Sequence, residues 1–410
     1  MQIVQHALHT RLFLTFAVML MAVGVLLVDS SSMSSRNIDA DPVQLSKHLT
    51  FLLLAALSGG LAAGMPKSAW RYIAPVMYLV TVGLLIAVLI PGLGYRVNGA
   101  QRWIRIGVLT LQPSETAKLS LPLAVCGYRF RSSQPDLSNP AFSEGLIILG
   151  MVGLPVLLIL AEPDLGTALF VSLCCAGAMF LTRWPIRQFV IAAALLMPVL
   201  GGLLALRPYQ VSRLQGFLQT WQSPELSPYQ VKQSLTTLGV GGIYGTGLGR
   251  GWQKLSFLPE ADTDFVFSVI GEELGLIGTL GVVGLWLGLY LSGLRLIDLG
   301  ATTERTVEIE SYTEVCPRLR PNDSAGQRAN PSFEWVLAVT LLTQLVLQAA
   351  INVAVVTAML PPKGISHPFI SYGGSNLVVS VCALGIILSL TRMCVANLDE
   401  TSRGDREGFD

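Results

Sequence analysis

The chain has 410 residues, of which 52 % are apolar and 13 % charged, and its mean hydropathy is +0.58. Soluble domains carry about 25 % charged residues, so an ordinary soluble globule is excluded. A formal net charge of +1 lacks the concentrated basic field of a nucleic-acid binder, which excludes DNA and RNA as partners.

A membrane helix needs about 20 apolar residues, so roughly ten spans use half the chain. Apolar runs bounded by charge, Pro or Gly lie at 11–28, 47–64, 72–90, 113–128, 144–161, 165–181, 188–206, 265–295, 333–357 and 371–392. They predict an all-α polytopic membrane protein of about ten transmembrane helices in one membrane domain over 1–398, with a short tail at 399–410. The first run has no small-residue cleavage site and leads through a polar loop to a second run, so it reads as a helix and not a signal peptide. Arg11, Lys67, Arg71, Arg129, Arg131, Arg183, Arg187, Arg295 and Arg392 sit at alternate span ends. That pattern predicts those ends and both termini in the cytosol. The six cysteines, at 126, 174, 175, 316, 382 and 394, form neither a disulfide framework nor a paired metal spacing.

Two loops are long. Residues 299–332, cytosolic and mixed in charge, read as a flexible linker. Residues 207–263 lie on the outer face between the seventh and eighth spans. Within them Val211, Leu214, Phe217, Leu218 and Trp221 recur at helical spacing, as in a helix lying in the interface. No inverted pair of broken helices is visible, which weakens a transporter reading.

The outer loops also hold cations: Arg96, Arg102 and Arg105 in one, and Arg207, Arg213, Lys232, Arg250 and Lys254 in the other. They suit an anionic ligand such as a phosphate, although outer loops also tolerate some arginine. In QPSETAK, Glu115 and Lys118 share a face of the fourth helix. They are either a structural ion pair or a lysine held by its partner toward a phosphate in an outer cavity. In AEPDLGT, Asp164 opens the sixth helix as an N-cap, with a second role in the same cavity open. The run from Gly239 to Gly251 lacks the Gly-Lys-Ser/Thr ending of a phosphate loop, and reads as tight backbone permitting positive φ and close approach of a ligand.

Asp262 and Asp264 stand at the mouth of the eighth span, with Glu272 and Glu273 about two to three turns deeper in a regular helix. A carboxylate at a dry, partly enclosed helix entrance suits general-base chemistry; capping is the plainer alternative. If the two aspartates share a cavity, their like charges raise at least one pKa. Around the last span, LPPKGISHPFISYGGSN implies broken helix that lines a cavity or is buried in protein. Lys363, Ser371, Tyr372 and Ser375 can supply donors there.

Five segments, NGAQRW (98–103), QPSETAKL (112–119), EPDLGTA (162–168), GLGRGWQKLSFLPEADTDFVFSVIGEELGLIG (247–278) and LPPKGISHPFISYGGSN (360–376), together resemble the SEDS family of bacterial cell-wall proteins. They run in family order across most of the chain. Lys363 after the paired prolines, and QKL before FLPEA, look more like the FtsW and SpoVE branches than RodA. The resemblance implies a peptidoglycan glycosyltransferase that polymerises lipid II, with a class B penicillin-binding protein and other divisome or elongasome membrane proteins as partners, in the bacterial cytoplasmic membrane. It places the family's essential aspartate on Asp264, the Trp of its outer RW motif on Trp103 beside Arg102, and its fourth-helix polar pair on Glu115 and Lys118. Many relatives have His where this chain has Asp262.

Granted that substrate, forming a β-1,4 bond from an α-linked undecaprenyl-pyrophosphate donor is a single inversion. Asp264 would take the proton of the acceptor hydroxyl, and the pyrophosphate needs charge stabilisation more than an acid. Lys118, Arg102 and Arg250, or a divalent cation such as Mg or Mn, would supply it; the sequence requires no cofactor. A lipid II flippase and a non-catalytic division scaffold are the alternatives.

Overall fold

The protein is described by a computed structural model over residues 2–34, 43–97, 100–107, 109–131, 142–205, 208–222, 227–252, 258–315 and 331–392. Its helices are α1 (Gln2–Ser34), α2 (Val43–Gly64), α3 (Ala69–Leu89), α4 (Pro113–Arg129), α5 (Phe142–Ala161), α6 (Leu165–Leu181), α7 (Ile186–Ala205), α8 (Pro208–Gln222), α9 (Tyr229–Gly241), α10 (Val266–Val315), α11 (Phe333–Val356) and α12 (Gly374–Thr391). Each predicted apolar run coincides with a helix among the described residues, the last beginning only at Gly374. By length and composition, 7 of the helices among the described residues can cross a membrane: α1, α2, α3, α5, α10, α11 and α12, while α6 is a shorter apolar helix. The chain is a multi-pass membrane protein of mainly helical fold.

Leu53, Leu61 and Leu79 on α2 and α3 are more than half exposed, as side chains facing lipid must be. The polar side chains Gln344, Gln348, Asn352 and Asn376 of α11 and α12 are buried. The bundle is held where small residues let helices touch, the usual device inside membranes. A Cβ on Gly385 of α12 would lie 2.2 Å from the Gly59 carbonyl oxygen of α2, and one on Gly24 of α1 would lie 2.6 Å from that of Phe369.

The structure departs from the sequence reading in four places. The fold is not purely helical: the loop before α4 is an antiparallel meander of β1 (Gly94–Val97), β2 (Ala100–Ile106) and β3 (Leu109–Leu111). The long loop holds a second helix, α9, which packs on α10 and α11. The linker expected over 299–332 begins later than residue 299, because α10 continues to Val315; residues 316–330 lie outside the described residues.

The fourth departure concerns α10, which is broken at Gly275 (φ 67, ψ −163). The glycine run lies against that break. Thr246 and Gly247 donate backbone N–H groups to the carbonyls of Glu272 and Glu273 (2.8 and 3.0 Å), and Leu276 donates to the Gly242 carbonyl (3.0 Å). A Cβ on Gly241 would collide with the Gly271 carbonyl oxygen at 1.8 Å, and one on Gly245 with that of Glu273 at 2.2 Å. Gly241 and Gly245 therefore admit the broken helix to close approach. Glu272 accepts the Trp252 N–H (2.8 Å), and Glu273 accepts the Ser30 hydroxyl of α1 (2.8 Å), so both carboxylates fasten the run in place.

Candidate active site

The site is built from four stretches of chain that meet at one end of the bundle. The first is the turn between α5 and α6. Asp164 caps α6, its carboxylate accepting the Thr167 N–H (3.1 Å) and hydroxyl (2.9 Å). Arg102 on β2 donates its Nε to the Glu162 carbonyl (2.9 Å) and a terminal nitrogen to that of Pro163. A guanidinium just beyond α5 complements the negative end of the helix dipole and pins the meander to the turn.

The second and third stretches are the turn before α10 and the irregular segment between α11 and α12. Tyr372 donates its N–H to the Asp262 carbonyl (2.8 Å), and Ser371 donates its hydroxyl to that of Thr263 while accepting the His367 N–H (2.8 Å). Asn352 of α11 donates to the carbonyls of both Asp264 (2.7 Å) and Ile365 (2.8 Å). These bonds bring the half-buried Asp264 carboxylate against Gly364, where a Cβ would lie 2.9 Å from its Oδ2. Lys363, the next residue back, lies beside Asp164: a Cβ on Gly166 would be 3.6 Å from both the Lys363 Cδ and an Asp164 carboxylate oxygen. The fourth stretch, α8, contributes Arg213, whose charge acts on Asp264.

Burial pushes the Asp264 pKa up to about 7, with the negative charges of Glu260 and Asp164 adding to the rise and Arg213 and Arg102 opposing it. Glu162 is fully buried with no hydrogen-bond partner for either carboxylate oxygen. Its pKa is pushed up to about 8, by burial first and by Asp164 second, against the pull of Arg102. Lys363 is lowered by burial, with Asp164 opposing. A carboxylate with a pKa near neutrality in the field of Arg213 and Arg102 can accept a proton while the cations around it hold an anion.

Several sequence-predicted residues lie elsewhere or are otherwise engaged. Lys118 does not reach an outer cavity: it is buried, 2.7 Å from Glu115, 3.3 Å from the Gln348 carboxamide oxygen and over the Phe170 ring. The structural ion pair is the arrangement found. The Ser371 hydroxyl is taken up by the backbone, so it holds the site together. Arg250 is exposed in the glycine run, its N–H donating to the Gly247 carbonyl. The Asp262 charge is felt at Tyr372, and the like charges that raise Asp264 are Glu260 and Asp164. Trp103 is half-buried on β2 opposite Tyr95. Sequence reasoning listed Arg213 only as one outer-loop cation among several, and missed Glu162 and the pair Gln348 and Asn352. The last two had a signal: carboxamides four apart in an apolar run occupy one helix face. Among the described residues no three His, Cys, Asp or Glu side chains are grouped as metal ligands.

A multi-pass helical bundle carrying a near-neutral carboxylate among cations at one end defines the class. The chain belongs to the FtsW/RodA/SpoVE family of cell cycle proteins, which it matches over residues 10–308 and 324–394. It is 35 % identical over 374 residues to the probable peptidoglycan glycosyltransferase FtsW of Coxiella burnetii (strain RSA 493 / Nine Mile phase I), covering 90 % of this chain and 93 % of that one. It is 37 % identical over 387 residues to the protein of the same description from Hahella chejuensis (strain KCTC 2396), covering 91 % and 88 %. Among solved structures, a chain from a peptidoglycan synthase complex that coordinates polymerization and crosslinking has the same fold, with a TM-score of 0.66, 24 % identity and coverage of 93 % and 96 %. The rod shape determining protein RodA of Thermus thermophilus aligns with a TM-score of 0.60 at 25 % identity, covering 93 % and 95 %.

Proposed function

We propose that the chain is a peptidoglycan glycosyltransferase that polymerises lipid II into β-1,4-linked glycan strands, with Asp264 as general base. The observation that carries this reading is the Asp264 carboxylate, raised to about 7 and set beside Lys363, Arg102 and Arg213. The names of the FtsW relatives support the activity, and the family's description as cell cycle proteins supports a role in cell division.

In the step proposed, Asp264 removes the proton from the acceptor sugar hydroxyl as its oxygen attacks the donor anomeric carbon from the face opposite the pyrophosphate. The bond between that carbon and the pyrophosphate oxygen breaks, and its electron pair leaves on undecaprenyl pyrophosphate. One displacement inverts the α donor to the β product. The leaving group departs ionised, so it needs cations more than an acid; Lys363 and Arg213 are the residues assigned to it, with Arg102 behind them. An apolar cleft of about 490 Å3 between α5, α6 and α7 is suited to a lipid tail.

The active end would face the outside of the bacterial cytoplasmic membrane, with both termini in the cytosol. A class B penicillin-binding protein is the partner proposed, in line with the structural neighbour from a peptidoglycan synthase complex that coordinates polymerization and crosslinking. The test is polymerisation of lipid II by the purified protein with that partner. Asp264→Asn should lower the rate by about 10²–10⁴-fold, the usual worth of a general base, at unchanged expression. Full activity in the variant would overturn the assignment. Vesicles that translocate labelled lipid II without polymerising it would replace it by the flippase reading.

A further inference from the structure

Asn352 lies one turn before the end of α11 and is buried. Both hydrogens of its carboxamide nitrogen are committed to backbone carbonyls, one to Asp264 (2.7 Å) and one to Ile365 (2.8 Å). These carbonyls belong to stretches about a hundred residues apart in sequence, one bearing the carboxylate and the other following Lys363 and Gly364. Neither stretch is in a helix or strand at that point, so no ladder of backbone bonds holds one against the other. One turn earlier on the same face, Gln348 repeats the arrangement, its Nε2 donating to the Ser366 carbonyl (2.8 Å) and to Asn376 (3.0 Å).

The Asn352 carboxamide oxygen is buried and has no partner. A buried acceptor left unpaired costs stability, a cost that an apolar residue kept only for packing would not carry. The nitrogen is therefore the useful end of the side chain. Its two bonds act where tolerance is least, since a Cβ on Gly364 would already lie 2.9 Å from the Asp264 Oδ2.

We propose that Asn352 is a positioning residue: by joining the Asp264 carbonyl to the Ile365 carbonyl it fixes the Asp264 carboxylate against Gly364 and beside Lys363. The effect on catalysis rests on Asp264 being the general base; the effect on geometry does not, and the two are measured separately.

Geometry is read by disulfide trapping in the full-length protein carrying Asp264→Cys and Gly364→Cys, with single-cysteine versions as background. Gly364 is outside the positive-φ glycines, and Asp264→Cys removes the Oδ2 that a Cβ at Gly364 would meet. With Asn352 intact the pair should cross-link readily under mild oxidant. Asn352→Leu, which keeps the size and loses both donors, should slow trapping several-fold, and Asn352→Ser, which keeps one donor, should fall between. Equal trapping rates in all three would overturn the proposal; if the leucine variant does not fold, the serine variant decides.

Activity is read in the protein with Asp264 restored. Asn352→Leu should lower kcat on the order of 10²-fold, as a misplacement near 1 Å does, with KM for lipid II held and the acid limb of the pH profile displaced. Gln344→Leu, at another buried position of α11, should leave all three unchanged. Loss of kcat only in proportion to folded protein, with an unmoved pH profile, would also overturn it. Slowed trapping in a protein whose Asp264→Asn variant polymerises normally would sink the general-base assignment and leave the positioning role standing.

Discussion

A carboxylate acts as a base only while ionised, so a pKa of about 7 at Asp264 places the acid limb of kcat/KM near neutrality instead of near the ordinary 3.8 for aspartate. Asp164 is one of the like charges behind that rise. Asp164→Asn keeps an equally good N-cap and removes the charge, so Asp264 should ionise more readily and the acid limb should move to lower pH; a shift to higher pH would refute the coupling. Asp262→His should move the limb less than Asp164→Asn does, because the charge of Asp262 is felt at Tyr372. Glu162 has the opposite consequence for stability. Its folded pKa of about 8 lies above the usual 4.5, so the folded state holds a proton that the unfolded state has released. Glu162 therefore lowers stability progressively as pH rises from about 4.5 toward 8. Glu162→Gln should raise Tm, with the gain growing across that window and levelling above it; a gain independent of pH would contradict a protonated Glu162. The motifs made Asp264, Asp164, Arg102 and Lys363 legible in the sequence. Arg213 was visible only as one cation among many, since its place beside Asp264 depends on how α8 returns to the bundle.

Among the elements, hydropathy located every apolar helix, because lipid-facing and core positions are both apolar and need no knowledge of partners. Breaks and irregular backbone were less legible, for they depend on contacts between distant stretches. The fracture of α10 at Gly275 is the clearest case. Its φ of 67° lies in the left-handed region, and a Cβ there would sit 2.4 Å from the Gly245 nitrogen and 2.5 Å from the Ile243 carbonyl oxygen. Backbone strain of this kind costs about 1–3 kcal/mol before any clash is counted. Gly275→Ala should thus lower Tm and expose the glycine run to limited proteolysis near Trp252. An alanine variant with wild-type Tm and protection would mean that α10 straightens without loss. The same contact explains why the glycine run resembles a ligand loop in sequence: glycine spacing reports close approach and is silent about what approaches.

At the scale of the whole molecule, polar and charged side chains are buried among the apolar core, and Lys118 with Glu115 is the most demanding of them. Their side chains are 4 % and 8 % exposed, and the second oxygen of Glu115 has no partner. Removing one charge of a buried pair strands the other, at a cost of about 3–5 kcal/mol, whereas replacing both with residues of similar size is often nearly neutral. Lys118→Met should therefore lower Tm sharply, and adding Glu115→Gln should recover most of the loss. Activity should return less completely than stability. Lys118 also donates to Gln348 (3.3 Å), which holds the Ser366 carbonyl, so the double variant refills the core but leaves that carboxamide oxygen without its donor. The measurement is a double-mutant cycle on Tm with kcat determined on the same four proteins. A double variant no more stable than Lys118→Met would show that the pair is not self-contained. Recovery of kcat in step with Tm would show that Lys118 supports the site only by keeping the bundle folded.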